Sequence, residues 1–155
     1  MGIPAVRAFF AEHAPDLEVL ELDADTSTVA NAAAAHGVAP GQIAKTLAFH
    51  VGGDPFLLVA RGDARIANGK IKAVFGGKAR MLDAERVAEL TGHPVGGVCP
   101  FALATPLPVY CDLQLRDFAI VLPAAGGANS AVAIDPDRLA DLTRARWVDV
   151  CQPLN

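Results

Sequence analysis

Residues 43–60 have the sequence IAKTLAFHVGGDPFLLVA, in which two largely apolar runs flank a short break. The runs contain leucine, phenylalanine, valine and isoleucine side chains, a composition that is typical of β-strands. Gly52-Gly53-Asp54 between them supplies the residues that a tight hairpin turn requires. We therefore predict a hairpin with strands over 43–51 and 55–60, and the rest of the chain is interpreted around it.

Helix start and stop signals stand on both sides of this hairpin. The residues Thr-Ser-Thr at 26–28 offer N-cap oxygens to an alanine-rich run that stops at Gly37. Asp83 and Asp135 are typical caps for two later helices, the second with proline at its preferred first position. Further helices are predicted over 4–13 and 70–75, and further strands over 17–22, 107–111, 119–122, 131–134 and 147–150.

The order of these elements indicates the fold class. Helices are scattered among about seven short strands, and several connections are too short for a parallel crossover. We therefore expect an α/β (α+β) fold, with one domain over 1–155 and a mixed, largely antiparallel, barrel-like sheet flanked by helices. A regular doubly wound fold is disfavoured because the alternation of strand and helix fails in the middle of the chain.

Composition excludes several other classes of protein. No apolar run approaches the roughly 18 residues of a membrane span, and the N-terminal residues lack a signal-peptide pattern, so we expect a cytoplasmic protein without a membrane partner. The cysteines are odd in number and contain no C-x-x-C pair, and the four histidines show no paired metal-ligand spacing. We therefore expect no disulfide framework, no metal site and no cofactor.

Charge is distributed unevenly along the chain. The formal net charge is −4, yet between Arg61 and Arg80 six cations stand against the single acid Asp63. This stretch is either an ordinary solvated surface or a patch that contacts the phosphates of a nucleic acid. The candidate phosphate contacts are Arg61, Arg65, Lys70 and Lys72.

Lys45 is the most informative charged residue. On a strand it shares a face with Ile43, Leu47 and Phe49, whereas Thr46 faces the other way. Such a lysine either extends from the strand end towards solvent or projects into a cavity that needs a fixed positive charge. In a cavity, its natural partner would be an anion or a developing oxyanion.

Two glycine-containing loops are candidates for the wall of a site. In GHPVGGVCP, residues 92–100, the adjacent Gly96 and Gly97 permit unusual dihedrals and could bring N–H groups close to a ligand; an ordinary turn is the alternative. The second loop, AAGGANS at 124–130, is either a hairpin turn or a pocket wall. Neither loop carries a dinucleotide-binding or P-loop motif.

A side-chain nucleophile is poorly supported. Ser27 and Ser130 lie outside any G-x-S-x-G sequence, and Cys99 and His93 form a Cys/His pair in sequence only. We predict a buried, inert Cys99, and the alternative is a cysteine hydrolase that requires an exposed Cys99 thiol of low pKa.

Several separated motifs resemble, in order and spacing, the YbaK / prolyl-tRNA editing domain family. They are GQIAKTL at 41–47, Gly62-Asp63, Thr91-Gly92, GGVCP at 96–100 and AGG at 125–127. The resemblance spans about Val6 to Val150. It implies a free-standing aminoacyl-tRNA deacylase that removes a noncognate amino acid from tRNA(Pro), with a barrel-like mixed sheet flanked by helices.

The resemblance also implies a set of site residues. In that family the lysine matching Lys45 is the residue most closely tied to activity, and the G-x-x-x-P loop shapes the pocket for the amino acid and the terminal adenosine. We therefore expect Lys45 to be catalytic. The expected substrate-binding residues are Thr46, Gly96, Gly97, Val98, Cys99, Pro100, Gly126 and Gly127.

The chemistry of the implied reaction agrees with the absence of a triad. An aminoacyl ester is already activated, so an enzyme need only position a water or a substrate hydroxyl or thiol and stabilise the tetrahedral oxyanion. Because Cys99 occupies a variable position of the pocket loop, alanine, cysteine, serine and similar amino acids all remain open as the group removed. The expected partners are misacylated tRNA and prolyl-tRNA synthetase, and the alternative function is a noncatalytic module that binds the tRNA end.

Overall fold

The computed structural model of the protein describes residues 2–154, and within this range the chain forms helices, strands and two short 3-10 turns. The helices are α1 (Ile3–His13), α2 (Val29–His36), α3 (Asn68–Phe75), α4 (Ala84–Thr91) and α5 (Pro136–Thr143). The strands are β1 (Leu20–Glu21), β2 (Ile43–Val51), β3 (Asp54–Arg61), β4 (Arg80–Met81), β5 (Val109–Asp112), β6 (Leu122–Pro123), β7 (Ser130–Ala131) and β8 (Arg146–Val148). The 3-10 turns are Pro40–Gln42 and Leu113–Asp117.

The predicted hairpin is confirmed. Strand β2 pairs antiparallel with β3 from Ala44 opposite Arg61 to Val51 opposite Asp54. Gly52 and Gly53 form the two-residue turn with φ of +57° and +87°. Positive φ at both central residues is the requirement of a turn whose twist matches the strands, and glycine meets it without a steric cost.

The helix signals are also confirmed. The Thr28 hydroxyl accepts the Asn31 N–H at the start of α2, and Gly37 ends that helix with φ of +68°. Asp83 accepts the Arg86 N–H at the start of α4, and Asp135 caps α5 in the same way. Each carboxylate or hydroxyl satisfies an N–H that has no partner within the helix.

The sheet differs from its prediction in closure and in strand direction. Its order is β4-β2-β3-β5-β8, with β6 also paired to β2, and it is not closed into a barrel. Strands β3 and β4 pair antiparallel with β2, but β6 on β2, β5 on β3 and β8 on β5 are parallel. The expectation of a largely antiparallel, barrel-like sheet was therefore wrong in these details, although the α+β class is confirmed. Helices α3 to α5 supply the long connections that parallel neighbours require.

Some predicted strands are shorter than expected. The strand predicted over 17–22 is reduced to β1, which pairs only with β7. The strands predicted over 119–122 and 131–134 are displaced to β6 and β7, with Val121 and Ile134 forming an isolated bridge. Each of these strands extends only as far as another strand lies alongside and pairs with it.

A gap in the sheet lies along one edge of β2. On this edge β6 pairs with Ile43 and Ala44, whereas β4 pairs with Phe49 and His50. Because Val51 and Asp54 flank a two-residue turn, the odd-numbered residues of β2 direct their backbone groups to β3 and the even-numbered ones to the gap. The Ala48 carbonyl there accepts the Leu82 N–H at 3.0 Å. The backbone of Thr46 therefore faces the gap between β6 and β4.

Apolar side chains cover both faces of the sheet. The larger cluster contains Ala44, Ala48 and Leu57 of the hairpin together with Phe10 of α1 and Leu139 of α5. The smaller cluster lies on the opposite face and joins Phe49, Leu58 and Ile71. No helix among the described residues combines the length and the apolar character that a bilayer crossing requires.

Candidate active site

A cavity of about 460 Å³ opens at the gap along β2. Its floor is residues 43–48, and one wall comes from residues 26–29 and the α2 face that carries Ala32 and His36. The other walls come from β4, α4 and the following loop, and from the segment around β6 and β7. The residues of these two walls are Met81, Leu82, Ala84, Val87, Val95, Gly96, Val98, Leu122, Ala124, Ser130 and Ala131.

The cavity is lined mainly by small and apolar side chains. Its polar groups are few and come from Thr26, Ser27, Thr28, His36, Lys45, Thr46 and Ser130. A mostly apolar cavity with a few convergent polar groups is the usual form of a small-molecule site. Within the described chain, no three histidine, cysteine or acidic side chains come together in a way that could hold a metal ion.

Lys45 lies on the floor of the cavity, but its ammonium is anchored. Lys45 Nζ donates to the Ala64 carbonyl at 2.6 Å and to the Gly62 carbonyl at 3.3 Å. Half-burial lowers the pKa of Lys45 below its usual 10.5, and the nearby Cys151 and Asp63 oppose that shift. An ammonium has three N–H donors, so one donor remains after these two contacts. The apolar face predicted for Lys45 is confirmed for Leu47 and Phe49, which lie opposite Leu58 and Phe56 in the smaller cluster, whereas Ile43 packs with Ala32, Ala33 and Leu122.

Thr46 and His36 bring polar atoms to the cavity that the protein leaves without partners. Both Thr46 Oγ1 and His36 Nε2 are shielded from solvent, and no atom of the described chain forms a hydrogen bond with either. A shielded hydroxyl without a partner costs about 1–3 kcal/mol. Thr46 on the floor and His36 on the α2 wall each bring one such atom to the lining of the cavity.

Only part of the predicted glycine loop lines the cavity. Gly96 and Val98 line the cavity. Gly96 has φ of +86°, and a Cβ added there would lie 2.7 Å from the Ser27 Cβ. The Gly97 N–H donates to the Pro94 carbonyl at 3.0 Å, so the expectation that it would face the ligand was wrong.

Gly97, Gly126 and Gly127 join the two glycine loops to each other. The Gly126 N–H donates to the Gly97 carbonyl at 3.0 Å, and a Cβ on Gly97 would collide with the backbone of Gly126 and Gly127. A Cβ on Gly126 would meet the backbone of Gly2 at 2.5 Å. These three glycines permit close backbone packing behind the wall, and the cavity wall of the second loop is formed by Ala124 and Ser130 instead.

Cys99 and Pro100 lie behind the cavity wall as part of the core. Cys99 is fully buried, and burial raises the pKa of its thiol to about 12. Its Sγ lies 3.5 Å from His93 Nε2, which is itself 2.7 Å from the Phe101 carbonyl. The predicted buried Cys99 is confirmed, and the requirements of a cysteine hydrolase are not met, because an attacking thiol must be exposed and ionised.

Ser130 reaches the cavity but is occupied by the turn before it. Its hydroxyl donates to the Gly127 carbonyl at 2.7 Å and accepts the N–H groups of Ala125 and Gly127. With these bonds, Ser130 stabilises the second glycine loop and is not arranged as a nucleophile.

The predicted RNA-binding cations fall into two groups. Arg61 is paired with Asp63 at 2.6 Å and with Asp117 at 2.8 Å, and its guanidinium lies over the Phe118 ring. Lys70 donates to Asp149 at 2.9 Å and to the Cys151 carbonyl. Acids distant in sequence thus neutralise two of the four predicted cations. Arg65 and Lys72 are exposed and take part in none of the ion pairs of the described residues.

The sequence did not reveal the cavity wall formed by residues 26–29 and one face of α2. Residues 26–28 were predicted as a helix start, and their contribution to the cavity was missed. Val29, Ala32 and His36 follow the i, i+3, i+7 spacing of one helix face, which was a usable signal for a lining surface. Nothing local showed whether that face meets a core or a cavity.

Comparison with known proteins supplies the family. Residues 23–142 match the aminoacyl-tRNA editing domain. The uncharacterized protein YwhH of Bacillus subtilis (strain 168) is 43% identical over 154 residues, which is 98% of each chain. The proline–tRNA ligase of Moorella thermoacetica is 32% identical over 120 residues, which is 74% of this chain and 20% of the ligase. The chain thus spans about a fifth of that ligase.

Solved structures agree with the sequence relatives. A protein described as a candidate trans-editing enzyme for prolyl tRNA synthetase superposes with a TM-score of 0.90 and 34% identity over 97% of both chains. The hypothetical protein APE2540 superposes with a TM-score of 0.87 and 32% identity over 96% of this chain and 99% of that one. With a family match over most of its length and relatives of this similarity, the chain belongs to the aminoacyl-tRNA editing domain family.

Proposed function

We propose that this protein is a free-standing deacylase that hydrolyses the ester of a misacylated tRNA, with tRNA(Pro) carrying a small noncognate amino acid as its substrate. The observation that carries the proposal is the cavity along β2, where the backbone of Thr46 faces the gap and Lys45 is one of the lining residues. The similarity to part of proline–tRNA ligases and to a candidate trans-editing enzyme supports the choice of tRNA.

Lys45 is the proposed catalytic residue. Hydrolysis adds water to the ester carbonyl, passes through a tetrahedral oxyanion, and releases the free amino acid and the ribose hydroxyl of the tRNA. The two carbonyls that hold Lys45 Nζ fix its position and leave one N–H for the developing oxyanion. A fixed charge in a site shielded from water stabilises such an oxyanion more strongly than the same charge in bulk water.

The backbone of the glycine loop is the second proposed donor. Among residues 2–154, no backbone carbonyl or side chain accepts the Val98 N–H, and Val98 lines the cavity. This N–H, rather than that of Gly97, is suited to approach the ester from the wall that contains Gly96 and Val98. With Lys45 on the floor and Val98 on the wall, the oxyanion would receive two donors, and no side-chain nucleophile is required.

The lining of the cavity supports a small, uncharged amino acid. Six alanines keep the lining small, and among the described residues no carboxylate lines the cavity to bind a basic side chain; the alanines are Ala32, Ala44, Ala48, Ala84, Ala124 and Ala131. Alanine, serine and cysteine are therefore the amino acids we propose for the position. A cytoplasmic protein acting beside prolyl-tRNA synthetase completes the proposal.

A deacylation panel tests this function. Purified protein is mixed with tRNA(Pro) charged with alanine, cysteine, serine, threonine or the cognate proline, and release of the amino acid is followed under single-turnover conditions. We expect rapid hydrolysis of at least one small noncognate ester and much slower hydrolysis of the proline ester. Tight binding of the charged tRNA without hydrolysis would instead identify a noncatalytic module that binds the tRNA end, and hydrolysis of none with no binding would overturn both.

A further inference from the structure

The polar side chains that line the cavity differ in whether the protein itself binds them. Of the shielded polar side-chain atoms in the described lining, His36 Nε2 and Thr46 Oγ1 have no partner. Four other polar side chains of the lining hydrogen-bond to the protein backbone; they belong to Thr26, Thr28, Lys45 and Ser130. The hydrogen-bonding capacity of His36 and Thr46 is therefore left for a ligand.

His36 brings its free nitrogen to a small, apolar part of the cavity. It lies in the last turn of α2, four residues after Ala32, and residues at this spacing are neighbours on one helix face. Ala32 packs with Ile43 of β2 and Leu122 of β6 in a buried cluster, and all three of these residues also line the cavity. Nε2 is thus a single polar atom beside short or aliphatic side chains, where an unmade hydrogen bond is costly.

The chemistry of this part of the cavity selects among possible ligand groups. An ammonium group would lose its hydration there without gaining a counter-charge, because among the described residues no carboxylate lines the cavity. A methyl group would fit but would leave Nε2 unpaired. A hydroxyl both donates and accepts, so it pairs with Nε2 in either tautomer of the imidazole, whereas a thiol does so only weakly. The best match is a neutral hydroxyl on a short side chain.

We propose that His36 is a specificity-determining residue, whose Nε2 hydrogen-bonds the side-chain hydroxyl of the amino acid and makes the seryl ester preferred over the alanyl ester. Thr46 follows Lys45 directly on the cavity floor, whereas His36 approaches from the α2 wall. His36 is therefore the residue placed to meet a group that extends away from the ester. The inference rests on the proposed deacylase function and adds the residue that distinguishes between its substrates.

The test compares two substrates that differ by one hydroxyl. Values of kcat/KM are measured on tRNA(Pro) charged with serine or with alanine, and each rate is corrected for spontaneous hydrolysis. The variants are His36→Leu, which is apolar, and His36→Gln, which keeps a polar group at a similar distance from the backbone. The matched control is His50→Leu, which removes a partly buried histidine of β2 outside the cavity lining. Circular dichroism confirms that each variant is folded.

We expect the unsubstituted protein to prefer the seryl ester roughly tenfold or more, because the alanyl ester leaves Nε2 without a partner. His36→Leu should lower kcat/KM for the seryl ester more than for the alanyl ester, so that the preference disappears. His36→Gln should retain part of the preference, since its amide can still bind a hydroxyl. His50→Leu should keep the full preference.

Two kinetic results would overturn the assignment of His36. One is a ratio of seryl to alanyl kcat/KM that is the same in His36→Leu and in the unsubstituted protein. The other is an equal loss on both esters, which would show that His36 contacts a group common to every substrate. Either result, obtained with an active enzyme, leaves the deacylase function intact.

Binding of stable analogues separates this inference from the proposed function. In these analogues an amide joins serine or alanine to the 3′ end of tRNA(Pro), so that no hydrolysis is needed. Tighter binding of the seryl analogue by the unsubstituted protein, lost in His36→Leu, would support the role of His36 even if no ester were hydrolysed. Equal binding of the two analogues by the unsubstituted protein would overturn that role, and binding of neither would overturn both proposals.

Discussion

The Lys45 ammonium donates to the carbonyl of Ala64 at 2.6 Å, across the turn that follows the hairpin strand β3. This bond connects Lys45, on the floor of the cavity, to Ala64, which does not line the cavity. The bond holds the ammonium in one position. A charge of fixed position can stabilise charge that develops in a transition state without first having to reorient.

Replacing Lys45 should impair the chemical step more than substrate binding. We expect Lys45→Ala to lower the deacylation rate by roughly 10² or more with a smaller effect on tRNA affinity, because the ammonium acts mainly on the developing oxyanion. Lys45→Arg should also fail, because a planar guanidinium is wider than the ammonium that fits between the Gly62 and Ala64 carbonyls. Single-turnover rates and affinities of folded variants, checked by circular dichroism, provide the measurement. Near-normal deacylation by folded Lys45→Ala would contradict the mechanism.

Replacing Thr46 should lower the activity of the protein without lowering its stability. In Thr46→Val a methyl group takes the place of a shielded hydroxyl that has no protein partner, so we expect urea unfolding to show no loss of stability. If the hydroxyl binds the substrate, kcat/KM should fall by about tenfold. The control is Thr143→Val, whose hydroxyl donates to the Leu139 carbonyl within α5, away from the cavity. A Thr46→Val protein with full activity would remove this side chain from the substrate-binding set.

Replacing Gly96 should block the cavity wall. A side chain at Gly96 combines a positive φ with a collision against Ser27, so Gly96→Val should abolish deacylation. The control is Gly76→Val, which has a similar positive φ of +78° but nothing within 4 Å of its Cβ position. Both variants carry backbone strain of about 1–2 kcal/mol, whereas only Gly96→Val crowds the cavity. An equal loss of activity in the two folded variants would show that backbone strain alone explains it, and full activity of Gly96→Val would contradict the blocked wall.

Cys99 should be dispensable for the chemistry. Its pKa of about 12 leaves almost no thiolate at neutral pH, and the thiolate fraction rises only as the pH approaches that value. We therefore expect slow labelling of Cys99 by a thiol reagent in the folded protein and rapid labelling after denaturation. Cys99→Ala should keep measurable turnover while losing stability through the cavity left in the core. Complete loss of turnover in a folded Cys99→Ala protein would revive the cysteine hydrolase.

The remaining predicted phosphate contacts are Arg65 and Lys72. Replacing both with alanine should weaken tRNA binding and lower the salt slope by up to about one for each lost phosphate contact. Lys70 is left in place, because its removal would leave Asp149 without its cation. Replacing Arg144 and Arg146, two exposed cations outside this segment, removes the same charge and serves as the control. An unchanged slope in the Arg65/Lys72 variant would move the RNA surface elsewhere.

Local features of the chain were predictable wherever the physical cause was itself local. The Gly52-Gly53 turn follows from the dihedrals that only glycine adopts freely, and the α2 cap follows from the reach of the Thr28 hydroxyl to the Asn31 N–H. The burial of Cys99 followed from its apolar neighbours. Each of these depends on a few consecutive residues.

The sequence could not predict which glycines of the two loops line the cavity and which pack behind its wall. Gly96 and Gly97 are adjacent and identical, yet Gly96 lines the cavity and Gly97 packs against Gly126 and Gly127. Similarly, Arg61 and Arg65 are both arginines of one basic segment, but only Arg61 is paired, in part with the distant Asp117. Residues 26–29, Ala32 and His36 line the cavity for the same reason, since the segments they face lie far away in the chain.

The sequence by itself determined the hairpin, the helix ends, the fold class and the motifs by which the family can be recognised. Only the tertiary structure decided that the sheet stays open, that β6 and β4 leave a gap along β2, and that Lys45 is held by Ala64. The physical reason is range: turns and caps are fixed by dihedrals and hydrogen bonds within a few residues, whereas a cavity is the space left where distant segments fail to meet.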